Sequence, residues 1–159
     1  MGVLMANPAK EMESRIYSIF SDVASCIGYS PIHGKIIGAL LVNGEMTLEQ
    51  IAKKTGYSIG MISLSLDLLD TLGVVRKNRK SGDRKLYATL SGDLLGCLKK
   101  VFVARLEKGI ENSLKEMENG KKQLKNVRAT EKEKISKTID ILEKEIRKLG
   151  KYVKLFSDI

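Results

Sequence analysis

Three residues, Gly56-Tyr57-Ser58, separate two stretches that both read as helix, and a turn that short leaves the chain few ways to fold. Ahead of the turn, Thr47-Leu48-Glu49-Gln50 has the form of a capping box, in which the Thr hydroxyl and the Gln side chain each satisfy a free amide. Leu48, Ile51 and Ala52 then make the inward stripe of a short helix that Gly56 ends. Behind the turn, Ser58 caps a further helix that runs to Leu72-Gly73, with Ile62, Leu66 and Leu69 facing inward. Helix, tight turn and helix in this order predict a helix-turn-helix.

The flanking punctuation extends the pattern in both directions. Asn7-Pro8 and Ser30-Pro31 are two helix starts of one type, a capping side chain followed by a proline that has no amide to leave unpaired. The first opens a helix carrying Ile16, Ile19, Phe20, Val23, Ala24 and Ile27 on one face as far as Gly28. The second opens a helix through Ile32, Ile36, Leu40 and Leu41 that stops at Asn43-Gly44. After Gly73, residues 74–79 and 86–90 read as two strands around the turn Ser81-Gly82-Asp83. Ser91 is then expected to cap a long helix from Leu94 through Val101, Phe102 and Ile110 to Met117. The polar stretch from Asn119 to Ala129 reads as a loop or as frayed helix ends, and Thr130-Glu131-Lys132-Glu133 as a second capping box. In the last helix Ile135, Ile139, Leu142, Ile146, Leu149 and Val153 alternate spacings of four and three, a narrow seam that asks for a partner helix. The expected fold is therefore mainly α with a small β-hairpin wing: a winged helix-turn-helix followed by long C-terminal helices.

Composition bounds the function. The 159 residues carry a net charge of +9, with 28 Lys and Arg against 19 Asp and Glu, which favours polyanionic partners. No run approaches the roughly 18 consecutive apolar residues of a membrane span. Met1 to Ala6 lack the basic start and apolar run of a signal peptide, and Ala6 stands where a myristoylation motif on Gly2 wants Ser or Thr. A cytoplasmic protein with no membrane partner is expected. Cys26 and Cys97 have no CxxC spacing and no neighbouring His, and both fall on apolar helix faces, so buried structural thiols are expected rather than redox sensors. His33, just inside a helix start, reads as structural or solvent-facing. One His, no paired carboxylates in an apolar setting, no glycine-rich phosphate loop and no nucleophile motif argue against an enzyme, and no cofactor or metal is expected.

Charge placement points to DNA. Between Arg76 and Lys85 stand six basic residues, Arg76, Lys77, Arg79, Lys80, Arg84 and Lys85, and one acid, Asp83. A hairpin with that charge gains most by neutralising phosphates, and Lys53 and Lys54 add to it. In a helix-turn-helix the second helix enters the major groove, which makes the helix from Ser58 to Leu72 the recognition candidate. Its candidate contacts are Ser58, Ile59, Gly60, Met61, Ser63, Leu64 and Asp67.

Residues 28–89 resemble the multiple-antibiotic-resistance regulator (MarR) superfamily, and within it the GbsR-type branch. The resemblance rests on Ser30-Pro31, Leu48-x-x-Ile51-Ala52, Ser58-x-Gly60-x-Ile62-Ser63-Leu64-Ser65-Leu66, Leu72-Gly73-Val74-Val75 and Gly82-Asp83-Arg84-Lys85. It implies a transcription regulator, expected to be a repressor, that binds a pseudo-palindromic operator as a homodimer. It also implies an N-terminal dimerisation helix over 1–29, a DNA-binding domain over 30–91 and a helical dimerisation region over 92–159. The dimerisation residues would be Ile16, Phe20 and Val23 with Ile135, Ile139, Leu142, Ile146, Leu149 and Val153; the alternative is that the last seam packs on the preceding helix of the same chain. A twofold dimer would set its recognition helices about 34 Å apart, one turn of duplex. The family also implies a small-molecule effector, for which Tyr17, Phe20, Tyr29 and Phe102 are either a pocket or plain core.

One departure from the family stands out: from Ile59 to Leu72 there is no basic residue. Asp67 sits where related sequences carry a cation, and would repel a phosphate or select a cytosine amino group. Met61 and Leu64 either touch thymine methyls or belong to the core. Arg84 and Lys85 are expected at the minor groove or phosphates, with Asp83 orienting a basic neighbour. The competing expectation is a winged-helix scaffold that has lost sequence-specific DNA binding.

Overall fold

A computed structural model describes residues 5–159, so the Gly2 position lies outside the described residues. The elements are α1 (Pro8–Cys26), α2 (Pro31–Asn43), β1 (Met46–Thr47), α3 (Leu48–Thr55), α4 (Ile59–Thr71), β2 (Val75–Arg79), β3 (Leu86–Leu90), α5 (Leu94–Gln123), a 3-10 turn (Leu124–Asn126) and α6 (Ala129–Asp158). The strands form an antiparallel sheet in the order β1-β3-β2. This is a winged helix-turn-helix with long C-terminal helices, mainly α as the periodicity predicts. No helix among the described residues is long and apolar enough to cross a membrane.

The caps explain most of the boundaries. Asn7 accepts from the amides of Ala9 and Lys10, and both halves of the Thr47–Gln50 capping box form. Gly56 takes the left-handed conformation (φ 80°) that ends α3 without a Cβ clash, and Ser58 accepts from the Met61 amide at 3.3 Å to start α4. Ser30 stands at the start of α2 but makes no side-chain cap bond.

Several boundaries and one strand differ from the expectations. Strand β1 went unread because two residues show no alternation; Met46 pairs with Ala88, and Thr47 with Tyr87. Asp93 rather than Ser91 caps α5, its carboxylate accepting from the Gly96 amide at 2.7 Å. The polar stretch after Asn119 stays helical as far as Gln123, where Lys121 meets Asp140 at 2.9 Å and Glu143 at 3.0 Å. Arg128 precedes α6, which places Thr130 inside the helix rather than at its cap. Of the cysteines, Cys97 is buried, its Sγ donating to the Val74 carbonyl at 3.6 Å, and burial pushes the thiol up. Cys26 is exposed because it falls on the outer side of the last turn of α1.

The chain forms two compact units, one ending at Val101 and one from Phe102 to Ile159. In the first, Ile36, Ile51, Ile62, Leu66, Leu69, Val74, Val75 and Cys97 are fully buried beneath the helix-turn-helix and sheet. Helices α1 and α2 meet without side chains between them at Gly34: a Cβ there would lie 2.0 Å from the Phe20 carbonyl oxygen. Nearby, the Tyr17 hydroxyl donates to Glu13, while Asn43 Nδ2 donates to the Tyr17 oxygen at 3.0 Å and to Glu13 at 3.2 Å. Burial, and then the hydrogen bond to Glu13, push Tyr17 up to about 12, and the Tyr17 hydrogen bond is the chief cause holding Glu13 below its usual range.

In the second unit α5 and α6 pack antiparallel. Phe102 meets Phe156 edge to face at 5.9 Å, Ile110 lies against Gly150, and Ile139 against Gly120. The seam of α6 is divided: Ile139 and Val153 are buried within this unit, Ile146 is half-buried, and Ile135, Leu142 and Leu149 are exposed by 41–45%.

Two glycines separate packing from helix propensity. Ala favours a helix over Gly by about 0.5–1 kcal/mol. Gly34→Ala is nevertheless expected to destabilise the protein by about 1–3 kcal/mol or more, because backbone must move to admit the methyl group. Gly60→Ala, which meets nothing within 4 Å, should stabilise it. Urea denaturation of both variants checks the opposite signs. A second expectation concerns pH. Because the folded Tyr17 value is raised, its stabilising contribution is complete below pH 10 and is lost as pH rises from 10 towards about 12. The lowered Glu13 value works in the other direction, its contribution being lost as acid protonates it. Thermal melting across both ranges should show the high-pH loss diminished in Tyr17→Phe.

Candidate nucleic-acid interface

One side of α4 is consumed by the core, with Ile62, Leu66 and Leu69 no more than 1% exposed. The opposite side therefore faces solvent whatever its chemistry. Gly60, Asp67, Asp70 and Thr71 lie there, and Ser63 is half-buried. Ile59, Met61, Leu64 and Leu68 lie there too, so Met61 and Leu64 are not core; Leu64 is 74% exposed. Thr71 donates its hydroxyl to the Asp67 carbonyl at 2.9 Å.

Asp67 is not the isolated acid that the composition of α4 suggests. Lys77 on β2 reaches its carboxylate at 2.5 Å, tying the wing to α4. The alternation of β2 accounts for this contact: Val75 and Lys77 share one face of the strand, Val75 inserting in the core while Lys77 spans to α4. At this partly exposed position the pair contributes up to about 1 kcal/mol.

The hairpin tip is held by Asp83. Its amide donates to the Lys80 carbonyl at 3.1 Å and Gly82 supplies the left-handed step (φ 76°). The Asp83 carboxylate accepts from the Tyr87 hydroxyl at 2.6 Å and from the Lys85 amide at 2.9 Å. These two bonds, Tyr87 first, hold Asp83 below the usual carboxylate range, and the same bond raises Tyr87. Asp83 thus fixes the backbone and an aromatic ring, rather than orienting a basic side chain as expected. Tyr87 also carries Lys80 Nζ 4.2 Å from its ring centroid, and Lys80 pairs with Glu45 at 2.6 Å. That pairing raises Lys80 and lowers Glu45. Sequence reasoning missed both Tyr87 and Glu45, because each gains its role only from the register that sets Tyr87 opposite Asn78 and Thr47.

The six hairpin cations are consequently not equivalent. Lys77 and Lys80 are paired to acids, and Arg79 donates to the Arg84 carbonyl at 2.8 Å, bracing the two strands. Arg76, Arg84 and Lys85 are exposed and form no ion pair among the described residues. On α3, Lys54 is tied to Glu13 at 3.1 Å, while Lys53 is exposed with no ion pair among the described residues. Ser58, Ile59, Gly60, Met61, Ser63, Leu64 and Asp67 come together on α4, and the Lys77 contact joins the hairpin to them.

The remaining sequence-derived residues fall elsewhere. Ile16 and Phe20 pack against the core of the first unit, and Val23 is 40% exposed. Phe20 and Tyr29 line an apolar cavity of about 20 Å³, room for a single water-sized guest. Tyr17 lines a separate open cleft of about 680 Å³, and Phe102 belongs to the second unit. His33 walls the small cavity with its Nδ1 lacking a partner among the described residues, and burial lowers its basicity. No group of His, Cys, Asp and Glu among the described residues is arranged to hold a metal ion.

No family model matches the chain, and no curated protein matches its sequence. Solved structures do. One described as a transcriptional regulator aligns with a TM-score of 0.60 at 15% identity, covering 93% of this chain and 99% of its own. The YusO protein from Bacillus subtilis aligns with a TM-score of 0.44 at 14% identity, covering 86% and 90%. A mutant MepR of S. aureus bound to an oligodeoxyribonucleotide aligns with a TM-score of 0.44 at 13% identity, covering 91% and 99%. The first of these likenesses establishes the fold.

Asp83→Ala should release the hairpin tip. The Lys85 amide is expected to exchange with deuterium faster than in the parent protein, while the melting temperature of the fold stays unchanged. In the parent protein the same release should occur only in acid, as pH falls through the lowered Asp83 value.

Proposed function

We propose that the chain is a DNA-binding transcription regulator of the MarR superfamily, nearest to its GbsR-type branch, which represses by occupying a pseudo-palindromic operator as a homodimer. The observation that carries the reading is the set of hairpin cations that form no ion pair among the described residues, Arg76, Arg79, Arg84 and Lys85, on a hairpin joined to the exposed face of α4. With Lys77 and Lys80 paired to acids, these four are the charges the hairpin presents for phosphate, the most abundant charge on a duplex. Helix α4 supplies the element that fits the major groove. The solved chain that shares the fold over 93% of this one is described as a transcriptional regulator, which agrees with the reading.

Support for the homodimer comes from α6. Besides the half-used seam, Ile141, Tyr152 and Leu155 are each more than 60% exposed on this one helix. So many large apolar groups on a solvated surface favour a second copy. The competing reading, a scaffold without sequence-specific DNA binding, is favoured by the absence of any Lys or Arg on α4.

Fluorescence-anisotropy titration of the chain's own upstream region at several salt concentrations separates the two. The regulator reading predicts salt-sensitive binding, and Arg84→Ala with Lys85→Ala, which removes four cations from a dimer, should reduce the slope of log affinity against log salt by about 4. Asp67→Asn frees Lys77 in both protomers and should steepen the slope by about 2. Absence of binding even at the lowest salt would leave the scaffold.

A further inference from the structure

We infer that the outer face of α4 reads thymine methyl groups, with Leu64 as the central contact and Ile59 and Met61 beside it. The inference rests on the DNA-binding reading above and adds to it what the helix recognises.

Specific base reading in the major groove normally uses side chains with several hydrogen-bonding atoms, such as Arg or Lys on guanine and Asn or Gln on adenine. From Ile59 to Thr71 this helix has none of the four. The polar groups it does have are already engaged in part: the Ser58 oxygen accepts from the Met61 amide, Thr71 donates to the Asp67 carbonyl, and Asp67 holds Lys77. What the face presents instead is apolar. Leu64 stands 74% exposed, with Ile59 at 50% and Met61 at 48% in the first turn, the part of a recognition helix that meets base edges. The thymine C5-methyl is the one apolar group among the four bases in that groove.

Gly60 agrees with a close approach. A glycine inside a helix costs stability relative to Ala, and nothing lies within 4 Å of the Cβ position to require its absence. Its effect is to lower the surface between Ile59 and Leu64, so that the backbone can come near the base edges. The occupant of this apolar face is fixed as DNA by charge complementarity. The unpaired cations of the hairpin lie on the element that Lys77 joins to α4, and a polyanion is the partner they select.

The test uses the full chain. Duplexes are selected by the protein from a random pool, and each thymidine of the best binder is then replaced singly by deoxyuridine, which removes the methyl group and leaves the hydrogen bonds. The inference expects affinity to fall about fourfold at one or more thymines in each half-site, the worth of one buried methyl-sized group. Leu64→Ala, at a solvent-facing position where folding does not depend on the side chain, should abolish that discrimination. Selection of a duplex whose deoxyuridine forms bind equally well would overturn the thymine reading while leaving DNA binding intact. Selection of no sequence at all would overturn the operator reading along with it. If Leu64→Ala alters only the sedimentation of the free protein and the thymine preference persists, the face serves a second copy and the inference is wrong.

Discussion

The burial of one side of α4 governs the rest of the interface. Ile62, Leu66 and Leu69 lock into a core shared with Ile36, Ile51 and Val75, and this fixes the rotation of the helix about its own axis. Residues at the remaining positions then have no freedom to choose their surroundings. A turn of the helix that would shelter Leu64 would drag Ile62 or Leu66 into water, and each fully buried side chain of this size is worth about 1.5–3 kcal/mol. The exposure of Leu64 is thus enforced by its neighbours on the other face.

The hairpin is governed by local charge matching more than by net charge. A surplus of +9 spread over the chain says little about where an anion binds. In the hairpin the acids Asp67 and Glu45 take Lys77 and Lys80, and Tyr87 bridges Lys80 and Asp83. Four cations form no ion pair among the described residues, and the paired ones hold the hairpin in shape. Exposed pairs of this kind are individually weak. Their value lies in defining where the unpaired charges stand.

Much of this was legible in the residues. Helix starts with a chemical signature, Asn7-Pro8, Thr47 with Gln50 and Ser58, fall where the sequence places them, since each cap is a bond between neighbours in the chain. The two hairpin strands were equally legible from alternation and the Gly82 turn. Strand β1 was not, because Met46 and Thr47 are strand only by virtue of pairing forty or more positions away. The same limit hid Glu45 and Tyr87, and made Asp67 look like an unpaired acid when its partner sits ten residues on. After Asn119 polarity alone left loop and helix end open, and hydrophilic side chains there coat the end of α5 as far as Gln123. At Cys26 the apolar stripe of α1 had already rotated away by its last turn.

Thr47 belongs to two elements at once. It pairs with Tyr87 in the sheet, and its side chain caps α3 by accepting from the Gln50 amide. The strand and the helix therefore have no linker between them, and the hairpin has no hinge against the helix-turn-helix. Its ordering occurs when the protein folds rather than when it meets a partner. Association is then a docking of preformed surfaces, which spares the entropy loss that a floppy arm would suffer on contact. A rigid arm also has a fixed reach, so the distance between what the helix touches and what the hairpin touches is set by the fold and not by the partner.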